Sequence, residues 1–331
     1  MSHIYIYSPS GAVRDKAAFK RGVQRLKTLG HEVEIDPAAL KAVQRFAGDD
    51  AERVKSIERA AASGADVAMT TRGGYGLSRN LPLINYKPIA KSIKQGMQWV
   101  GCSDFTALQA ALYAKTGAVT WAGPALCEDF GRAPDADGHS LKPQAATDDI
   151  MEACFDDFVQ GVCEGAGWMI PAADMKNATN LVALNANSAP ATKPFGLKNG
   201  KLQGPLWGGN LAMLTSLLGT PYLPQIKKGI LWFEDVAEHP YKVERMLLQW
   251  QHAGILAQQK AIVFGQFSNY KLTPHDRGFK LQTVIERLRS QLKIPVLTGL
   301  PFGHVPTKVC LPFGQQVTLM TEGRDTLLYW G

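Results

Sequence analysis

From the N-terminus, short apolar runs alternate with longer stretches whose apolar residues recur every three or four positions. IYIYSP (Ile4–Pro9) reads as a strand, and SGAVRDKAAFKRGVQRLKTLGH as a turn and a helix ending near Gly30. HEVEID reads as a second strand. DDAERVKSIERAAASG reads as a helix with Asp49 or Asp50 as its cap and Gly64 as its stop. ADVAMTT and QWVGC are strand-like, as is AVTWAGP. Between the last two, FTALQAALYAKTG sets Phe105, Leu108, Ala111 and Leu112 on one helical face and ends at Gly117. Strands alternating with helices predict an α/β fold, a mostly parallel sheet flanked by helices over residues 1–150.

The character changes near Asp148. TDDIMEACFDDFVQGV is helical in period, but Gly, Asn, Ala and Pro then dominate as far as KNGKLQG, so residues 151–203 read as a connector. Residues 204–331 read as a smaller C-terminal α+β domain. GPLWGGNLAMLTSLLGTPYL suggests a helix after a Gly-rich turn, and GILWFEDV a buried strand. PYKVERMLLQWQHAGIL suggests a helix with Pro240 in its first turn. KAIVFGQF, PVLTGLPFGH and QQVTLM complete the strands.

Composition narrows the function classes. The 331 residues are 45% hydrophobic and 20% charged, which is globular, and no apolar run approaches the length of a membrane span. The N-terminus lacks a basic segment followed by a long apolar core, so a cytoplasmic protein is expected. Five scattered cysteines without a CxxC pair fit reduced thiols. The net charge of +7 is spread along the chain, which argues against nucleic acid as a partner and for a surface that attracts small anions. No HExxH or zinc-spaced His/Cys set occurs. DADG at Asp135–Gly138 opens like a calcium loop but has Ala146 where the acidic ligand belongs, so no metal and no cofactor is expected.

The candidate chemistry is nucleophilic. Ser103 stands between the QWVGC strand and the following helix, either as a helix cap or as a nucleophile at the carboxyl edge of the sheet. The N–H of Asp104 would then help hold an oxyanion, although Phe105 replaces the last glycine of a G-x-S-x-G elbow. Of seven histidines, His304 lies at an expected strand end opening into a loop, where it is either a general base or a turn residue. Glu234 ends the apolar ILWF run, where a carboxylate needs a partner, and it is the preferred group to orient His304, with Glu238 second. Asp235 and Glu238 are otherwise explained by the positive end of the Pro240 helix. In TTRGGYGLSRNLP, Gly73 and Gly74 would admit close backbone approach to a ligand. Arg72 beside them could bind a carboxylate, or the stretch is a Gly-rich turn with a solvated arginine.

RFAGDDAERV, RGGYGLSRNLPLI, GCSDFTALQAAL, GPLWGGNLAMLTSLLGTP, LWFEDVAEHPYKVERMLLQWQHAGIL and TGLPFGHVPTKVCLPFG, in that order, resemble the LD-carboxypeptidases of the S66 serine peptidase family. The resemblance is weakest from Ala133 to Lys201. It implies a catalytic Ser103, Glu234 and His304, with Ser103 on the N-terminal α/β domain and the other two on the C-terminal domain. It also implies a homodimer. The implied activity is release of terminal D-alanine from murein tetrapeptide during cytoplasmic peptidoglycan recycling. The neighbouring alternatives are a microcin-immunity-type peptidase of the same family, an α/β-hydrolase-like esterase, and a non-enzymatic two-domain binding protein.

Overall fold

The computed structural model describes residues 1–133, 147–172 and 201–331, and the Asp135–Gly138 segment lies outside them. Two units are present. The first comprises Met1–Cys163, Gly219–Pro224 and Pro306–Phe313, and the second Glu164–Leu218, Gln225–Val305 and Gly314–Gly331.

The first unit is built on strands β1 (His3–Tyr7), β2 (Glu32–Ile35), β3 (Val67–Thr70), β4 (Gln98–Gly101) and β5 (Thr120–Ala122). All pair in parallel, in the order β5-β4-β3-β1-β2. The strand β11 (Leu311–Phe313) adds to β5 in the antiparallel sense. Helices α1 (Lys16–Thr28), α2 (Asp50–Ala62), α3 (Leu77–Asn80), α4 (Tyr86–Lys94), α5 (Phe105–Thr116) and α6 (Asp149–Gln160) belong to the same unit. Ile4 and Ile6 enter a core with Phe19, Leu26, Phe130 and Phe155. The next residue along β1, Tyr7, is also fully buried and meets Trp99 edge-on at 5.4 Å, so both faces of the sheet are covered, as a parallel sheet requires.

Local signals act as the sequence suggests. The Asp49 carboxylate accepts from the Glu52 N–H and starts α2, and Gly117 in the left-handed region ends α5. The α5 helix is not one-sided, however: every residue from Phe105 to Leu112 is buried.

The second unit carries a seven-stranded sheet in the order β10-β9-β8-β7-β12-β13-β6. Its strands are β6 (Gly165–Met169), β7 (Lys201–Asn210), β8 (Ile230–Val236), β9 (Ala261–Ser268), β10 (Val296–Leu297), β12 (Gln316–Glu322) and β13 (Asp325–Tyr329). The β10-β9-β8-β7 half is parallel and the β7-β12-β13-β6 half antiparallel. Residues 151–203 thus include most of α6 and all of β6 as well as the first residues of β7.

Two sequence expectations change. GPLWGGN is the end of β7, not a turn. The glycines are there because a Cβ on Gly208 would run into the main chain of Trp232 on β8. The strand expected to lead to His304 stops at Leu297, and the chain reaches the histidine through a loop. Among the described residues, no helix is long and apolar enough to cross a membrane.

Candidate active site

In the first unit, the carboxyl ends of β1, β3 and β4 lie side by side, so the segments following them form one rim. After β4 the chain turns sharply through Cys102 and Ser103 into α5. Ser103 sits at φ 61°, in the left-handed region that costs a side-chain-bearing residue on the order of 1–3 kcal/mol. Neither Ser103 nor Asp104 caps α5 with its side chain, which removes the cap as the reason for a serine here. Gly101 must be glycine, because a Cβ would lie 2.7 Å from Oγ1 of Thr70 and 2.9 Å from the Phe105 ring.

The segment after β3 meets this turn. A Cβ on Gly73 would fall 2.5 Å from Cβ of Ser103, 2.7 Å from its Oγ and 3.3 Å from the Asp104 nitrogen, so bare backbone faces the hydroxyl. Asp104 locks the two segments together. Its fully buried carboxylate accepts from the Leu77 N–H at 3.0 Å, and burial pushes its pKa up. Arg53 from α2 is fully buried beneath Gly76 and pairs with Asp50. Arg72 is not a solvated arginine: it is buried, and Nη2 donates to Oε1 of Glu128 at 3.2 Å.

The second unit gathers carboxylates and a histidine at the ends of β7 and β8. β8 is buried on both faces from Ile230 to Asp235, so consecutive acids are both buried, Glu234 at 1% exposure and Asp235 at 3%, and its pairing with β9 slips between Phe233 and Asp235. Asn210, opposite Glu234 in the β7–β8 register, ties them together. Its Nδ2 donates to Oε1 of Glu234 at 3.2 Å and to Oδ1 of Asp235 at 2.9 Å, while its Oδ1 caps the helix α7 (Leu211–Ser216) by accepting from the Met213 N–H. The other oxygen of Glu234, Oε2, lies 2.8 Å from Nδ1 of His304. The histidine loop is laid on β9: Gly265 leaves room for the Phe302 carbonyl, and Oγ of Ser268 donates to the His304 carbonyl at 3.2 Å.

Sequence reasoning misplaced one acid and missed one amide. Asp235 does not serve the Pro240 helix. Its Oδ2 accepts from the Ala212 N–H of α7, and burial, then the neighbouring Glu234 charge, push its pKa up to about 6. The helix Pro240–His252 is capped by His239. Glu238 reaches Lys242 at 3.9 Å, so Glu234 and not Glu238 holds the imidazole. Asn210 carried a readable signal that went unused, an Asn placed directly before a helical apolar run.

Comparison with known proteins adds the family context. Residues 4–123 match the LD-carboxypeptidase N-terminal domain and residues 203–319 the LD-carboxypeptidase C-terminal domain. The crystal structure of muramoyltetrapeptide carboxypeptidase from Oxalobacter formigenes is similar at 36% identity and a TM-score of 0.78, covering 98% of this chain and 97% of that one. A probable murein peptide carboxypeptidase of Bacillus subtilis is 28% identical, over 92% of this chain and 85% of the relative. The microcin C7 self-immunity protein of Escherichia coli is 26% identical over 96% of this chain and 90% of its own length.

Proposed function

The chain belongs to the LD-carboxypeptidase family of serine peptidases, and from that premise we propose that it removes the C-terminal D-alanine of murein tetrapeptide, L-alanyl-γ-D-glutamyl-meso-diaminopimeloyl-D-alanine. The observation that carries the reading is the buried Glu234 carboxylate 2.8 Å from Nδ1 of His304. A carboxylate so placed fixes the tautomer with the proton on Nδ1, so that Nε2 is the nitrogen that accepts a proton, and it stabilises the imidazolium that forms.

In this mechanism Ser103 Oγ attacks the diaminopimeloyl carbonyl as His304 takes its proton. The left-handed backbone at Ser103 supports the assignment, since it holds the hydroxyl out from the turn instead of spending it on a cap. N–H groups of Asp104 and of the Gly73–Gly74 turn stabilise the tetrahedral oxyanion, each worth about a hundredfold or more in turnover. His304 then protonates the leaving D-alanine, and water repeats the attack on the acyl-enzyme. Arg72 supplies a contact to a substrate carboxylate. The reading extends to a cytoplasmic homodimer acting in peptidoglycan recycling, with light scattering as the check on the dimer.

A second reading follows the microcin C7 self-immunity protein, which has been solved in complex with aspartyl sulfamoyl adenosine, and takes an acyl-sulfamoyl nucleoside as the substrate of this chain. Purified protein is incubated separately with murein tetrapeptide and with aspartyl sulfamoyl adenosine, and products are followed by mass spectrometry. Loss of one alanine from the tetrapeptide, abolished in Ser103→Ala, is expected. Cleavage of the nucleoside alone supports the second reading, and undiminished D-alanine release by Ser103→Ala refutes the serine mechanism.

A further inference from the structure

The strand order β5-β4-β3-β1-β2 reverses direction between β1 and β3, because the chain steps from β1 outward to β2 and then back across β1 to β3. Parallel sheets bind ligands in the crevice at such a switch point, outside the carboxyl ends of the strands. Here a cavity of about 290 Å³ occupies that position. It is walled by Gly11 and Arg14 after β1, by Arg45 from the loop before α2, and by Arg72, Gly74 and Tyr75 after β3.

The walls are stitched to one another through the main chain. The Gly11 N–H donates to the Gly73 carbonyl at 3.2 Å, and the Ala12 N–H to the Arg45 carbonyl at 3.0 Å. Gly11 and Gly74 close on Nη1 of Arg72 so tightly that a Cβ on either would collide with it. The guanidinium is therefore fixed between two glycines, with Glu128 on its Nη2. Arg45 lies over the Tyr75 ring at 5.8 Å, and among the described residues neither Arg14 nor Arg45 has a carboxylate partner. Three guanidinium groups thus face this cavity and its rim against a single carboxylate. The residues on either side of Gly73, which touches Ser103, are among its walls.

We propose that this cavity is an anionic subsite in which Arg14 and Arg45, with Arg72, take a carboxylate-bearing arm of the peptide substrate. The inference rests on the proposed murein-peptide activity, whose tetrapeptide has free carboxylates on its glutamyl, diaminopimeloyl and terminal alanyl residues. Guanidinium pairs recognise such groups bidentately, and a site at a switch point beside the nucleophile holds the peptide in register for attack.

The test measures binding, so that it does not depend on turnover. On the Ser103→Ala background, calorimetry compares tetrapeptide affinity with and without Arg14→Gln and Arg45→Gln, both at exposed positions, with circular dichroism as the check on folding. The double substitution is expected to weaken binding at least about tenfold. Three analogues, each with one of the carboxyls converted to the amide, identify the arm: the analogue lacking the captured carboxylate binds equally with and without the arginines. Unchanged tetrapeptide affinity overturns the proposal, and so does an equal loss for all three amides, which is bulk charge attraction. Tetrapeptide cleavage by the unmodified protein is scored separately and tests the activity itself. If the tetrapeptide does not bind at all, glutarate decides. Binding that vanishes with the two arginines supports a carboxylate site, and no arginine-dependent binding refutes it.

Discussion

Gly73→Ala separates catalysis from folding. Gly73 is outside the left-handed region, so its backbone accepts alanine without strain. The added methyl would lie 2.5 Å from Cβ of Ser103 and 2.7 Å from Oγ, against an ordinary contact distance of 3.4 Å or more. Ser103 or the Gly73 segment must retreat by about 0.9 Å, and displacements near 1 Å cost about 100-fold when they spoil attack geometry, about 2.7 kcal/mol of barrier. Overpacking also costs stability, about 1–3 kcal/mol, which leaves a protein of this size folded at room temperature. The assay is D-alanine release from murein tetrapeptide under kcat/KM conditions, paired with a thermal melt. Gly167→Ala is the control, since its methyl would meet nothing closer than 3.8 Å. A folded Gly73→Ala protein with activity within about threefold of wild type would refute the placement of Gly73 against a working nucleophile.

The other expected outcomes follow from the same packing. Glu234→Gln keeps the shape at His304 but lets the imidazole settle in the wrong tautomer, and kcat should fall on the order of 10³–10⁴-fold in steady-state assays. The raised pKa of Asp235, about 6, means the folded chain keeps a proton that the unfolded chain has already released. Stability therefore falls as pH rises from about 4 to 6, by up to ~3 kcal/mol, and melts across that range should show wild type losing ground to Asp235→Asn. An opposite slope counts against the burial of that acid. Lys308 and Asp129 form an ion pair with both side chains only 3% exposed, and Lys308→Met strands the carboxylate. The expected loss is about 3–5 kcal/mol in chemical denaturation, and a loss under about 1 kcal/mol would contradict the pairing.

The first unit was largely legible because its parallel strands are buried apolar runs and its helices carry their own caps and stops, as at Asp49 and Gly117. The second unit was less so. Gly208 and Gly209 look like turn residues, but Gly208 is glycine because the main chain of Trp232 on β8 leaves no room for a Cβ, a reason that exists only across the sheet. Glu234 and Asp235 are both buried because β8 lies between two parallel neighbours with both its faces covered, so no alternation along the strand marks one acid as inward and the other as outward. Ser103, Glu234 and His304 could each be singled out from local pattern. The bracing by Asn210 could not, since it joins residues distant in sequence through hydrogen bonds. The arginine cavity was half visible: Arg72 stood out beside its glycines, while Arg14 and Arg45 gave no local sign, being brought to it by the order of the strands.

The sheet of the first unit is finished by β11, a strand drawn from near the C-terminus, and the chain changes units five times along its length. No single cut in the gene can therefore release either unit whole. A fragment ending at Cys163 would expose the free edge of β5, a template for unwanted strand pairing between copies. Swapping one unit between relatives would require exchanging several separated segments at once.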